Sequence, residues 1–422
     1  MKVKETKGIT LIAVIITIIV LAILAGVTIA SLRGKDGIIN NAEKAVGKYN
    51  GKVEEETAFL ASVQQWLDGN GTGGSGSSGG TSGGSSNISY GVSGLTKLTG
   101  NAKVDGNGLA TENTLIQPND NSNVLIVIPT GFAPAILETS NSTTSASGES
   151  GKVKSIMPSD QWKNITEEQI NQGIVIVNNA ITYTGEVPNF EEYVWISIPN
   201  SNEFASMVVA NKDDVGKHYW DDPNKMEYQN MVASIIKNRG FYIGRYEASA
   251  NGTIAQSKRG ENVGVNISQT SAITACKNST TINNLHLIYG IEWDSVMSWL
   301  AEKATINGYK ATTDDIYSSS ASWGNYKNST GNAATNSGGS SQQKSGTSEY
   351  WKANNIYDLA GNAWEWTQER MNTGYYRVVR GGSYKYDGHI YPAAYRNSDR
   401  FGYGNTCDFI GDGFGFRSSF YL

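Results

Sequence analysis

Cysteine and histidine are scarce in this chain, with two Cys and three His among 422 residues. That excludes a disulfide-dense scaffold and leaves too few side chains for a Cys/His zinc site. Positive charge is also short. Lys and Arg total 34 against 39 Asp and Glu, a formal net charge of −5. A dedicated nucleic-acid binder needs a basic face to release counterions from phosphates, so no nucleic-acid partner is expected. The length suggests two or three domains, with ample chain for at least one large core. What is plentiful is unevenly placed. Many of the 48 Gly fall in one low-complexity run, Tyr at 22 outnumbers Phe and Trp at 10 each, and a long charge-free run stands near the N-terminus.

That run extends from Ile9 to Ala30. About 22 residues at 1.5 Å rise cross a ~30 Å hydrocarbon core as a helix. Lys2, Lys4 and Lys7 precede it, which predicts a cytoplasmic N-terminus and an extracellular remainder. A plain signal anchor fits this pattern. A cleaved secretory signal fits less well, because its apolar region is shorter and is followed by a small-x-small site. Helical apolar spacing continues over residues 38–67, through Ile38, Ile39, Ala42, Ala45, Val46, Tyr49 and Val53 to Phe59, Leu60, Val63, Trp66 and Leu67. An apolar helix running into an amphipathic one suits a subunit that packs sideways into a helical bundle.

With Lys7-Gly8 followed by Ile9-Thr10-Leu11-Ile12, the N-terminus resembles type IV prepilins and pseudopilins. The resemblance implies a leader over residues 1–8, cleaved by a prepilin peptidase between Gly8 and Ile9, then methylation and partnership with other pilin subunits. The pilin-like segment would span residues 9–68. Ala13 stands where the family usually has Glu, which fits a minor or tip subunit better than a repeating one.

Residues 69–86 are almost wholly Gly, Ser and Thr. Such a chain builds no core and behaves as a random coil with a root-mean-square span of about 25 Å. It reads as a tether between domains, although an engineered linker has the same composition. Residues 87–180 have a β-like pattern, with strands predicted at Val124–Ile128 and Gly173–Val177 and a helix start at Thr166. Ser140–Ser150 reads as a polar loop. This stretch is either a small β-rich module or an N-terminal extension of the next domain.

In residues 181–422 strands are predicted at Tyr193–Ile198, Gly240–Tyr246 and Arg377–Tyr384. Helices are predicted at Met226–Lys237 and from Glu292 to about Ala304, the second with Trp293, Val296, Met297 and Leu300 on one face. Thr312–Ser348 reads as loop by composition. The fold class is α+β. Phe241 to Glu247, His286 to Ile288, Glu292-Trp293, Asn355 to Trp366, Arg380 to Tyr384 and Gly415 to Arg417 follow in that order. This set resembles the formylglycine-generating enzyme (sulfatase-modifying factor) family, whose fold is C-type lectin-like. The Trp pair flanking Glu365 reads as core anchors with buried acceptors for the indole N–H groups, and the Gly pair after Arg380 allows positive φ or close approach.

The resemblance implies a copper oxidase, but not at the residues that would hold the metal. The family's enzyme binds copper through two thiolates five positions apart, and Tyr386 and Tyr391 stand at the matching places. Soft Cu(I) needs that sulfur pair. A related branch binds iron through a His triad, whereas His218, His286 and His389 are scattered. The expectation is therefore a non-enzyme with no certain cofactor. Asn362 and Glu365 are candidate ligands for a structural calcium through oxygen donors, or simply bond within the core.

From Ser383 to Phe416 the chain is rich in Tyr, Asn, Asp, Ser and Gly, the composition of an antibody-like paratope. Lys, Glu, Gln, Met and Trp form roughly 18% of the chain, so about six would be expected in this window, and Lys385 is the only one. A codon ending in a pyrimidine cannot encode those five. The deficit resembles the variable proteins of diversity-generating retroelements, whose randomised codons lie at the C-terminal end of a C-type lectin-like domain. The resemblance implies a scaffold of Arg380–Ser383, Arg396 and Gly415–Arg417. Candidate ligand contacts are Tyr384, Tyr386, Asp387, His389, Tyr391, Tyr395, Asn397, Ser398, Asp399, Phe401, Tyr403, Asn405, Asp408, Phe409 and Asp412. The expected function is display of a binding head, for a protein or glycan ligand, at the cell surface on a membrane or pilus anchor. A secreted copper-dependent oxidase and a structural pilus subunit with an inert head are the alternatives.

Overall fold

The computed structural model describes residues 95–120, 122–139, 151–213, 219–222, 225–250, 253–334, 341–371, 376–398, 409–410 and 413–422. The chain divides into two units, and every described residue lies in the second, Ser78–Leu422. The leader at Gly8 and Ile9, the span, the amphipathic helix, the tether and the polar loop at 140–150 lie outside the described residues. Among the described residues no helix is long and apolar enough to cross a membrane.

Strands carry the frame. Apart from four local pairs of two-residue strands, they are in chain order β1 (Thr114–Ile116), β2 (Ile126–Ile128), β3 (Ala133–Leu137), β4 (Val153–Ile156), β5 (Val175–Val177), β6 (Glu192–Ser197), β7 (Tyr219–Trp220), β8 (Gly240–Gly244), β9 (Leu285–Leu287), β10 (Trp364–Met371), β11 (Arg377–Arg380), β12 (Phe414–Phe416) and β13 (Ser418–Phe420). Seven of them form one antiparallel sheet in the order β9-β13-β8-β6-β5-β3-β4. Its two central strands are buried at every position, which is why EYVWIS and GFYIG read as near-continuous apolar or aromatic runs. Their register pairs Phe241 with Ile196 and Tyr242 with Trp195. Trp195 Nε1 donates to Leu125 O at 2.8 Å and the Tyr242 hydroxyl to Val127 O at 2.9 Å. Each large ring thereby buries its area while its polar atom stays paired, and ties the β2 segment to the sheet.

β3, β4 and β5 come from residues before 180 and β6 from beyond it, and β5 pairs directly with β6. The sheet therefore runs across the expected boundary at 180/181. Residues Ser418–Phe420 return to this sheet one strand in from its edge, since β13 lies between β8 and β9. A second sheet has β10 at its centre, antiparallel to β11 and β7 and parallel to β12.

The helices are α1 (Glu167–Asn171), α2 (Ser201–Asp213), α3 (Met226–Asn238), α4 (Gln269–Lys277), α5 (Gly290–Lys303) and α6 (Thr313–Tyr317). α1 starts where its capping signal predicts: the Thr166 hydroxyl accepts from Gln169 N, and Gln169 Oε1 accepts from Thr166 N. On α5 the predicted face holds, with Trp293, Val296, Met297 and Leu300 all fully buried. The stretch Thr312–Ser348 is not all loop. Thr312 and Asp315 form a capping box that starts α6, and a short 3-10 turn follows at Gly331–Ala334. Five helical residues are too few to show a 3.6-residue period, so only the cap marks them.

Candidate functional site

The expected strand Arg377–Tyr384 stops at Arg380, because the next two residues, Gly381 (φ 85°) and Gly382 (φ 78°), turn the chain. A Cβ on Gly382 would lie 2.6 Å from both the Tyr326 ring and Tyr391 O, so the site needs glycine for conformation and for space. From here the loop 383–398 lies against residues 316–330. Lys327 N donates to Tyr386 O (2.9 Å), Ser320 N to Gly388 O (3.0 Å), Ala394 N to Ile316 O (3.2 Å) and Ala393 N to Ser320 Oγ (3.0 Å). Asn328 closes a further clamp, donating to Asp387 Oδ1 at 2.7 Å and accepting from Gly388 N at 2.8 Å. Asn397 then bonds Val379 in both directions at 2.9 Å, which returns the loop to β11. A loop whose backbone is tied at so many points holds its side chains at low entropic cost.

Buried charge anchors both ends. Arg380 is fully buried and donates to Glu369 Oε2 (2.9 Å), Asp294 Oδ1 (2.8 Å) and Ala394 O (2.8 Å). Arg396 donates to Glu369 Oε1 at 2.6 Å and also pairs with Asp294. Burial alone would push the Glu369 carboxyl up, but the two guanidinium groups outweigh it and hold Glu369 below the usual carboxylate range. Asp221 lies near this set, accepting from Gly290 N and Ile291 N at the start of α5. Burial, reinforced by Glu369, pushes its carboxyl up to about 7.

On this base stands an aromatic cluster. The rings of Tyr386 and Tyr391 meet edge to face at 5.2 Å, and Tyr391 meets Tyr395 at 5.0 Å. Trp364, from β10, touches Tyr386 at 5.8 Å and Tyr391 at 5.4 Å. Trp364 is buried while Tyr386 and Tyr395 are each 39% exposed and Ile390 is 59% exposed. The outer rings are therefore held from beneath and open above.

Of the predicted contacts, Tyr386, His389 and Tyr395 are exposed, and Tyr384, Asp387, Tyr391 and Asn397 are half-buried. Ser398 departs from the expectation. It is buried, and its hydroxyl lies 3.4 Å from that of Tyr219, because the return to β11 carries this end of the loop inward. Phe409 packs on Phe414 at 5.9 Å, away from the Tyr386–Tyr395 rings in sequence and contacts. Asp399, Phe401, Tyr403, Asn405, Asp408 and Asp412 lie outside the described residues. In the sequence nothing marks Ile390 or most of the supporting segment 316–330 as part of the site, and Trp364 reads there as a core residue only. The capping box at Thr312 was the available signal for part of that segment.

The described residues do not fit copper, iron or calcium. Positions 386 and 391 are adjacent in space but carry phenols, which are no ligand pair for Cu(I). Cys276 is free and buried in α4, where burial pushes its thiol up, and Cys407 lies outside the described residues. His286 is buried, with its ring nitrogens against Asn284 O and Glu292, far from exposed His389 in environment. For calcium, both Glu365 oxygens accept from Arg417, at 2.9 and 2.6 Å. Asn362 Oδ1 already accepts from Asn325 (3.0 Å) and Gln343 N (2.9 Å), while its nitrogen bonds Glu247. These are the bonds of a core network, with the cationic partner supplied by arginine. Among the described residues no group of three or more His, Cys, Asp or Glu is disposed to hold a metal ion.

A search of curated proteins finds no match to the chain. Among solved structures it is similar to Treponema denticola variable protein 1, at 15% identity and a TM-score of 0.32, over 57% of this chain and 98% of that one. Residues 239–419 match the family described as sulfatase-modifying factor enzyme 1-like domain. The region matched by that family has mixed α and β content.

Proposed function

We propose that the chain is a non-catalytic binding protein that displays its C-terminal domain at the cell surface. The pilin-like N-terminus anchors or assembles it after cleavage between Gly8 and Ile9, the Gly/Ser/Thr segment tethers the head, and a protein or glycan ligand docks on the loop surface between Tyr384 and Asp412. One observation carries the binding assignment. Tyr386 and Tyr395 are partly exposed on a loop whose backbone and base are fixed, Tyr386 against the buried Trp364 and Tyr395 against Tyr391. Rigid amphipathic rings on a preorganised support lose little entropy on docking and supply most of the area in paratopes. The near-absence of Lys, Glu, Gln, Met and Trp in the same window supports diversification of that surface by a retroelement.

Two experiments test the two parts. Cells displaying the chain should lose most of their adhesion when Tyr386 and Tyr395 are both replaced by Ala, since anchoring aromatics dominate interface energetics. Unchanged adhesion would leave an inert head. For diversification, the neighbouring DNA should hold a reverse transcriptase gene and a near-copy of the segment encoding residues 383–416, and lack of both would leave a fixed surface. Co-expression with a prepilin peptidase should give Ile9 as the mature N-terminal residue.

A further inference from the structure

Next to Glu369, β10 carries a carboxamide held from both ends. Gln368 is 3% exposed. Its Nε2 donates to Glu227 Oε1 at 2.9 Å and to Leu287 O at 3.0 Å, and its Oε1 accepts from Lys225 Nζ at 3.0 Å. Two acceptors on one side and an ammonium on the other fix which atom is nitrogen and which is oxygen. A C=O bond of about 1.23 Å then places Lys225 Nζ no more than about 4.2 Å from the carbonyl carbon. Lys225 stands immediately before α3 and Glu227 in its first turn. They lie 143 and 141 positions from Gln368 in sequence, so only the fold assembles the three.

An amine, a carboxamide and a carboxylate are the groups that amide exchange requires, and each is biased toward the state it needs. Burial and the neighbouring Arg370 cation push the Lys225 ammonium below its ordinary range, which raises the share of neutral amine. Burial alone would push the Glu227 carboxyl up, but the bond from Gln368, the charge of His286 and the bond from the Tyr289 hydroxyl outweigh it. Glu227 is therefore ionised and able to accept a proton. We propose that Lys225 and Gln368 join in an intramolecular isopeptide bond, with Glu227 as the proton carrier. The neutral Nζ attacks Cδ, and the carbonyl π pair moves onto Oε1. Glu227 takes the proton that Nζ sheds and passes it to Nε2, which it already holds. The Cδ–Nε2 bond breaks, the pair returns from Oε1, and ammonia leaves. One amine and one primary amide become one secondary amide and ammonia, so no oxidant or co-reactant is consumed. Fixing the partners in one fold supplies the effective concentration that separate molecules lack. Glu227 also lines an open cleft with Asn230, Lys277 and Tyr421, which gives the ammonia a way out. The bond ties the start of α3 to the strand that carries Trp364 and Glu369 beneath the aromatic loop. It uses none of the proposed ligand contacts, so it stands or falls separately from the function proposed above.

The test is the intact mass of the full-length chain, incubated folded at neutral pH and then denatured and reduced. The expected main species is about 17 Da lighter than the mass calculated for the purified chain, the loss of one ammonia. Tryptic digestion should give a single linked fragment containing both Lys225 and Gln368. Lys225→Arg keeps a donor for Gln368 Oε1 but no attacking amine, and Glu227→Gln keeps amine and amide but no proton acceptor. Both variants should therefore show their full calculated masses, with near-UV circular dichroism unchanged as the check on folding. A full-mass chain without substitution overturns the bond. The same loss confined to one peptide, the mark of an asparagine succinimide, also overturns it. Linkage to an equal extent in Glu227→Gln overturns the role given to Glu227.

Discussion

Tyr386 and Tyr391 stand edge to face with ring centroids 5.2 Å apart and an interplanar angle of 72°. Each also touches the buried indole of Trp364. The two positions that would bear a thiolate pair in the resembling enzymes are thus neighbours here, and build part of an aromatic platform instead. Tyr391 is its centre, with three ring partners at 5.0–5.4 Å. Replacing Tyr391 by Ala should cost roughly 1–3 kcal/mol of folding stability in urea denaturation. Ile390→Ala and His389→Ala, at exposed positions, should stay within about 0.5 kcal/mol.

The loop's buried base should be more sensitive than its surface. Glu369 bonds both Arg380 and Arg396 and is 1% exposed. Glu369→Gln leaves the Arg380 guanidinium buried with one carboxylate fewer, and breaking a buried pair costs about 3–5 kcal/mol. Arg396→Ala should cost less, because that side chain is one-third exposed. It should also speed hydrogen exchange at the Val379 and Asn397 amides, whose mutual bonds close the loop.

Stability should fall as pH rises from about 5 to 8. Burial pushes Asp221 and Asp358 from the ordinary 3.8 up to about 7. Between those values the folded chain keeps protons that the unfolded chain has released. The stabilisation from these two groups is therefore fully present below about pH 4 and is lost as pH rises through 7. Glu369 and Glu349 are held low by cationic partners despite their burial. Their contribution has the opposite sign and disappears only under more acidic conditions. Denaturation midpoints at pH 5, 6, 7 and 8 should show the decline, and Asp221→Asn should flatten it.

Copper binding separates this account from the oxidase alternative. Titration of the purified chain with Cu(I) should show no tight one-to-one complex, because phenols at 386 and 391 offer no soft donor. Stoichiometric binding with turnover of a cysteine-containing peptide would favour the enzyme.

Much of the frame was legible because it obeys local rules. The apolar face of α5 and the cap at Thr166 are short-range signals, and both stand where the residues predict. The continuity of the large sheet was not legible. β5 is only three residues long, and its pairing with β6 on the other side of residue 180 depends on long-range contacts that no periodicity encodes. The site divides in the same way. Its tyrosines announced themselves through composition, whereas their brace did not. Ser320, Tyr326 and Asn328 come from a polar stretch about 60 residues upstream, and only the fold brings them beneath the loop. Burial of Ser398 has the same cause, since its neighbour Asn397 returns to Val379.

The central claim is that a fixed brace carries an exchangeable display. Deep sequencing of the coding gene across many isolates tests it most directly. The account predicts substitutions concentrated between residues 384 and 412, at displayed positions such as Tyr386, His389 and Tyr395, while Trp364, Arg380, Gly381, Gly382 and Arg396 stay constant. Variation spread evenly over the domain, or no excess variation in this window, would contradict it.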